Sequence, residues 1–248
     1  MSTPAQEARR VKRELARLAR PAGAFDAGRY FRGGHDLGFY NTGTRAVRDL
    51  AGAIYREHRG QWSVDDAMRL AEVLIADRHL EVKGVAIELV ARCRREFVPE
   101  LLPKWKRWLA KGHSGNWATT DSICGSLIRP LIERHPALAP TIADWSRHPS
   151  LWVRRASAVG LIASAHRGVR LDLAYRVAKT LRTDGEDLIQ KAAGWVLREA
   201  GTTDPARLER YLRSGGSKIP RTTLRYAIER FPPAKRRALL KATRAQKS

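Results

Sequence analysis

Apolar residues recur at three- and four-residue spacing along most of the chain. Ala8, Val11, Leu15 and Leu18 form one set, Val82, Val85, Leu89, Val90 and Cys93 a second, and Leu173, Val177 and Leu181 a third. That spacing gathers apolar side chains on one face of an α-helix, and no alternating stretch of comparable length competes with it. Ser63 followed three residues later by Asp66 reads as a helix start. Gly112, Gly168 and Gly201 read as helix stops. Start and stop signals at these intervals predict an all-α chain of about thirteen helices without a sheet.

The pattern also repeats at longer range. Leu80–Ala86 (LEVKGVA), Leu151–Ser157 (LWVRRAS) and Asp187–Ala193 (DLIQKAA) share one grammar: a β-branched residue, two mostly polar ones, then small residues that let helices approach closely. Val153 and Ile189 are 36 positions apart, and Val82 and Val153 are 71 apart, close to two such periods. A period in this range built from helix pairs is the mark of a HEAT-like solenoid, a curved stack with a long concave face. Any helical bundle yields loose repeats of this kind, and that is the plainer reading. The expectation is a single HEAT-like-repeat domain over 1–248, with an N-terminal helix within 1–20 and a disordered last few residues. A further copy should begin near residue 118, where Asp121 falls at or beside the slot filled by Val85, Ala156 and Ala192. A carboxylate there interrupts an otherwise apolar and basic repeat.

Charge narrows the partners. The 248 residues include 47 Lys and Arg against 25 Asp and Glu, a formal net charge of +22. Such an excess repels itself in a compact fold and suits a polyanionic partner, with nucleic acid ahead of an anionic membrane surface. No apolar run approaches the roughly 18 residues of a spanning helix, and Met1–Arg20 carries basic residues without a signal-peptide core. Cys93 and Cys124 lack CxxC partners, and the seven histidines show no HExxH spacing, so neither a disulfide framework nor a zinc site is expected. This cysteine usage fits a cytoplasmic protein, nucleoid-associated if the source is bacterial. No glycine-rich phosphate loop supports a nucleotide cofactor.

Three segments carry candidate chemistry. Trp117 and Asp121 are four apart and share one face of a helix. The segment Trp145–Ala156 places Arg154 and Arg155 at the start of one repeat helix, and Ile189–Glu199 places Trp195 two turns into the next. Read singly, the tryptophans are packing residues, the aspartate is a capping or dipole-compensating group, and the arginine pair is a solvated face. Trp105, Trp108, Trp145 and Trp152 are read as packing residues throughout.

Together these segments resemble the AlkD-type alkylpurine DNA glycosylases, a family of HEAT-like-repeat DNA repair enzymes. The likeness is closest from about Trp108 to Ala200, with Ile189–Glu199 its most specific stretch, and it reaches back to Tyr30 through Leu37–Arg45 (LGFYNTGTR). The resemblance implies that Asp121 is the catalytic aspartate, that Trp117 and Trp195 flank it, and that Arg155 grips the DNA backbone beside Arg154. It also implies that Tyr30, Asn41 and Arg198 hold the backbone. Phe39 and Gly43 depart from the family pattern, in which a glycine and a proline are expected.

The chemistry stands without the family. A purine alkylated at N3 or N7 carries a positive charge and is already a good leaving group. Breaking its glycosidic bond needs no metal, cofactor or general acid, only stabilisation of an oxocarbenium-like sugar and a positioned water. One carboxylate serves both ends, and flanking indoles attract cationic groups by roughly 0.5–2 kcal/mol each. The expected partner is double-stranded DNA bearing alkylated purines, acted on by a monomer in base excision repair. The alternatives are a non-catalytic HEAT-repeat binder of damaged or branched DNA, and a scaffold for an acidic protein.

Overall fold

The computed structural model describes residues 3–23, 31 and 37–244. Tyr30 lies outside them. The chain is about 75% helical and the described residues contain no strand, only an isolated bridge between Gly38 and His79. The described residues divide into two compact units, Met1–Pro136 and Ala137–Ser248.

The first unit is built from α1 (Pro4–Arg17), α2 (Gly43–Glu57), α3 (Val64–Ile75), α4 (Leu80–Arg92), α5 (Leu101–Ala110), α6 (Trp117–Ile123) and α7 (Arg129–Arg134). A π turn, Cys124–Ile128, joins α6 to α7. Thr3 and Ser63 cap α1 and α3 in reciprocal boxes with Gln6 and Asp66, so the start read at Ser63 is the one observed. Helix α4 is central. Val82, Val85, Ala86, Leu89 and Val90 are all fully buried, and α4 packs against α2 and α3. In α1, Ala8, Val11 and Leu15 are buried, whereas Leu18 follows the last turn and is 40% exposed. Gly112 sits just past α5 at φ +72°, a left-handed stop that favours glycine.

The second unit comprises α8 (Ala139–Asp144), α9 (Leu151–Val159), α10 (Ile162–His166), α11 (Leu171–Thr180), α12 (Asp187–Thr203), α13 (Pro205–Gly215), α14 (Arg221–Ala227) and α15 (Pro233–Ala242). Helix α12 packs against α9, α10, α11, α13 and α14. Its small residues permit this. A Cβ on Gly194 would lie 2.4 Å from Cβ of Tyr226 and 2.7 Å from the Thr223 carbonyl. Gly201, read from sequence as a stop, is inside α12. It is needed because a Cβ there would come within 2.4 Å of the Leu208 side chain on α13.

The repeat is visible in helix starts. Leu80, Trp117, Leu151, Asp187 and Arg221 open α4, α6, α9, α12 and α14, at intervals of 37, 34, 36 and 34 residues. The third residue of each (Val82, Thr119, Val153, Ile189, Thr223) and the seventh (Ala86, Ile123, Ser157, Ala193, Ala227) are buried. Positions three and seven are one turn apart, so each of these helices turns the same face to its core.

Candidate functional site

This common register places Asp121 directly beside the slot of Val85, Ala156 and Ala192, as its sequence position allowed. Ser122 is the sixth residue of α6 and corresponds to Val85, Ala156 and Ala192. Asp121 is the fifth, equivalent to Gly84 on α4, Arg155 on α9, Lys191 on α12 and Arg225 on α14. Among the five it is the one acid, and it is half-buried rather than sealed in the core.

Helix α6 is held by polar bonds at its start. Asn116 is 2% exposed; its Oδ1 accepts from the Thr119 amide at 2.8 Å, and its Nδ2 donates to the Ser114 carbonyl and to Thr119 Oγ1. Thr120 Oγ1 donates back to the Asn116 carbonyl. Trp117 is half-buried and stacks on Phe31, with ring centroids 5.6 Å apart and planes at 24°. Phe39 lies 5.6 Å from Phe31 in turn, so Phe31 has an aromatic neighbour in both Phe39 and Trp117. From Cys124, three residues past Asp121, the helix widens into its π turn, a distortion that recurs at functional sites and shifts the side-chain register beyond it.

Lys83 was not singled out from sequence, yet it bears on the same helix. It is 5% exposed, and its Nζ donates to the Ile75 carbonyl at 2.9 Å and to the His113 carbonyl at 2.6 Å. It thereby ties the end of α3 to the loop that leads into Asn116 and Trp117. Burial pushes its ammonium down to about 8, with Asp77 acting in the opposite sense. A cleft of about 330 Å³ runs between α2, α4 and α6, with Thr44, Val47, Gly84, Ala118 and Ser122 among its walls. Among the described residues its lining does not include Trp117 or Asp121. Asn41 adopts φ +56° just ahead of α2, and its Nδ2 donates to the Arg20 carbonyl at 3.2 Å.

In the second unit the arginine pair divides its work. Arg154 Nε bonds Asp184 at 2.6 Å, and its Nη1 donates to the Pro149 and His148 carbonyls at 2.6 and 3.1 Å. It clamps the start of α9 to the segment ahead of α12. Arg155 is 5% exposed and donates from Nη1 to the Leu188 carbonyl in the first turn of α12, at 2.7 Å. Trp195 is half-buried on α12, and Arg198 follows one turn later. Arg198 donates to Glu199 at 3.2 Å and pairs with Glu229. Glu199 is 4% exposed and also accepts from His166 and, through both oxygens, from Arg230. Burial acts to raise the Glu199 pKa, but His166, Arg230 and Arg198 outweigh it and hold the carboxyl below its usual range. The structure thus brings Trp117 and Asp121 together on one helix, and Trp195 and Arg198 on another.

Trp105, Trp108 and Trp145 are packing residues, 0%, 2% and 4% exposed, whereas Trp152 is only half-buried. Cys93 and Cys124 are both buried. Among the described residues there is no cluster of metal-ligating side chains, and no helix is long and apolar enough to cross a membrane.

A family model described as DNA alkylation repair enzyme matches residues 11–231. Among solved structures, a predicted DNA alkylation repair enzyme from Enterococcus faecalis is similar in fold, with a TM-score of 0.72 and 20% sequence identity. The alignment covers 83% of this chain and 93% of that one. No curated protein matches the sequence.

Proposed function

The chain belongs to the DNA alkylation repair enzyme family, and from that premise we propose that it is a monofunctional DNA glycosylase that hydrolyses the N-glycosidic bond of N3- and N7-alkylated purines in duplex DNA. The observation that carries this reading is the position of Asp121. It is the lone acid in a register position that otherwise holds Gly84, Arg155, Lys191 and Arg225, half-exposed and one turn from Trp117. A carboxylate is a liability for a polyanion-binding surface unless a positive charge appears near it. The departing alkylpurine is cationic from the outset, and its sugar becomes cationic as the bond breaks.

In this mechanism Asp121 stabilises the oxocarbenium-like sugar and takes a proton from the attacking water. The glycosidic C–N bond breaks with its electron pair leaving on the base, which departs neutral. Water oxygen bonds the anomeric carbon, leaving an abasic site. On this reading the electron-rich indoles of Trp117 and Trp195 serve to attract the cationic sugar. Arg155 and Arg198, with Arg154, Asn41 and Tyr30, position the phosphate backbone rather than the base. The damaged base need not be flipped into a closed pocket, unlike the usual arrangement in glycosylases. We place the protein in base excision repair, working as a monomer in the cytoplasm.

The test is direct. Incubation with a duplex bearing a single 7-methylguanine should yield free base and an alkali-labile abasic site in a single turnover. Tight binding of that duplex without base release would instead support a non-catalytic binder of damaged DNA.

A further inference from the structure

The register that aligns Asp121 with cationic positions continues beyond the proposed site. In the second unit, Arg155, Lys191 and Arg225 are the fifth residues of α9, α12 and α14, and α12 packs on both α9 and α14. The Lys191 pKa is raised chiefly by its bond to Asp187 and also by Tyr226, while the charge of Arg155 opposes the rise. Arg155 is buried, Lys191 half-exposed and Arg225 exposed, so the row emerges toward solvent as it proceeds.

At its far end the row meets a cluster of like charges. Arg221, the first residue of α14, donates from Nη1 to the Leu240 carbonyl at 3.3 Å and to Thr243 Oγ1 at 3.2 Å, at the end of α15. Burial lowers the pKa of its guanidinium, and so do Arg225 and Arg244, both of which are exposed. The charges that perturb Arg221 are therefore all positive. Capping a helix end accounts for one of these arginines, because a helix C-terminus carries only about half a negative charge. Three guanidinium groups exceed that several-fold. Lys191 has an ion-pair partner in Asp187 at 2.7 Å, but that pair is solvent-exposed and contributes little.

We propose that Lys191, Arg225 and Arg244 form a phosphate-binding track that continues the row begun at Arg155 and follows one strand of the duplex. This rests on the reading of duplex DNA as the partner. Packed helices lie about 8–10 Å apart, and phosphates of one strand advance about 3.4 Å along the axis, so one cation per helix meets roughly every third phosphate. Such a row reads backbone without reading bases. Arg244 lies beyond residue 231, where the family match ends, so this end of the track extends past the matched region.

The experiment uses the full chain, an undamaged duplex and the double substitution Arg225→Gln with Arg244→Gln, leaving Arg221 to hold the end of α15. Two lost contacts should reduce the steepness of log affinity against log salt by about 1.8, at roughly 0.9 per phosphate. Thermal stability should hold or rise as like-charge repulsion is relieved. An unchanged salt slope in a folded double variant overturns the track. A second arm titrates inorganic phosphate: if the double variant loses a phosphate response but keeps the wild-type duplex slope, the cluster serves free phosphate, and the track is again overturned. Base release by the wild-type chain is scored separately. A wild-type protein that binds duplex with the steep slope but releases no base refutes the glycosylase reading and leaves the track standing.

Discussion

The helices that carry the two candidate tryptophans occupy equivalent places in the repeat and are secured in different ways. Helix α6, with Trp117 and Asp121, is seven residues long, capped by the buried Asn116 and followed directly by a π turn. Helix α12, with Trp195, runs for 17 residues without a side-chain cap, held by close packing at Gly194 and Gly201. Hydrogen bonds are directional and fix a short helix that has little apolar surface to anchor it. Close packing fixes a long helix, at the cost of tolerating no added volume. The carboxylate's placement should therefore depend on polar bonds, and that of Trp195 on shape.

The largest expected effect falls on Asp121. Asp121→Asn should lower single-turnover excision by about a hundredfold or more, equivalent to roughly 2–4 kcal/mol of transition-state stabilisation. Duplex affinity should stay level or improve, because a carboxylate repels phosphates in the ground state. Equal rates in variant and wild type would remove Asp121 from the mechanism.

Next comes the packing side of the contrast. Gly194→Ala places a methyl against Tyr226 and the Thr223 carbonyl, and should cost about 1–3 kcal/mol in urea unfolding. If stability is unchanged, close approach does not secure α12. On the polar side, Asn116→Ala should cost about 1 kcal/mol and slow excision by a larger factor than it changes duplex affinity. An excision rate that tracks affinity would break the distinction between the two helices.

The smallest effect concerns Lys83. Its folded pKa of about 8 lies below the unfolded value near 10.4. Between those values the unfolded chain binds more protons, so stability should rise with pH from about 8 towards 10. The two carbonyl acceptors favour the ammonium and oppose burial, which keeps the rise well below the roughly 3 kcal/mol that the gap between the two values alone would give. Urea midpoints compared with Lys83→Met should show the rise only in the wild type; parallel curves would refute it.

Much of this architecture was legible because helical periodicity is a local signal. Val82, Val153 and Ile189 read as equivalent from sequence, and all three are fully buried third residues of their helices. Ser63 and Gly112 marked true ends for the same local reason. Gly201 misled because glycine serves two purposes: it ends helices at positive φ, and it admits a neighbouring helix. Only the position of Leu208 distinguishes them. Asp121 could be read only as at or beside the shared slot because the repeats vary between 34 and 37 residues, and it lies beside it. Arg154 and Arg155 read from sequence as a pair, but successive helical residues point about 100° apart, so one reaches Asp184 and the other Leu188. Lys83 was passed over because its two acceptors, Ile75 and His113, are distant in sequence.

The central claim is that a carboxylate acting on a cationic nucleotide suffices for base release. Its most direct test is single-turnover excision from duplexes identical except at one position, bearing 7-methylguanine, a bulkier N7 adduct or neutral hypoxanthine. Release of both cationic bases with hypoxanthine retained is the predicted result, since no acid is assigned to protonate a neutral leaving group. Release of hypoxanthine at a rate comparable to 7-methylguanine would contradict the account.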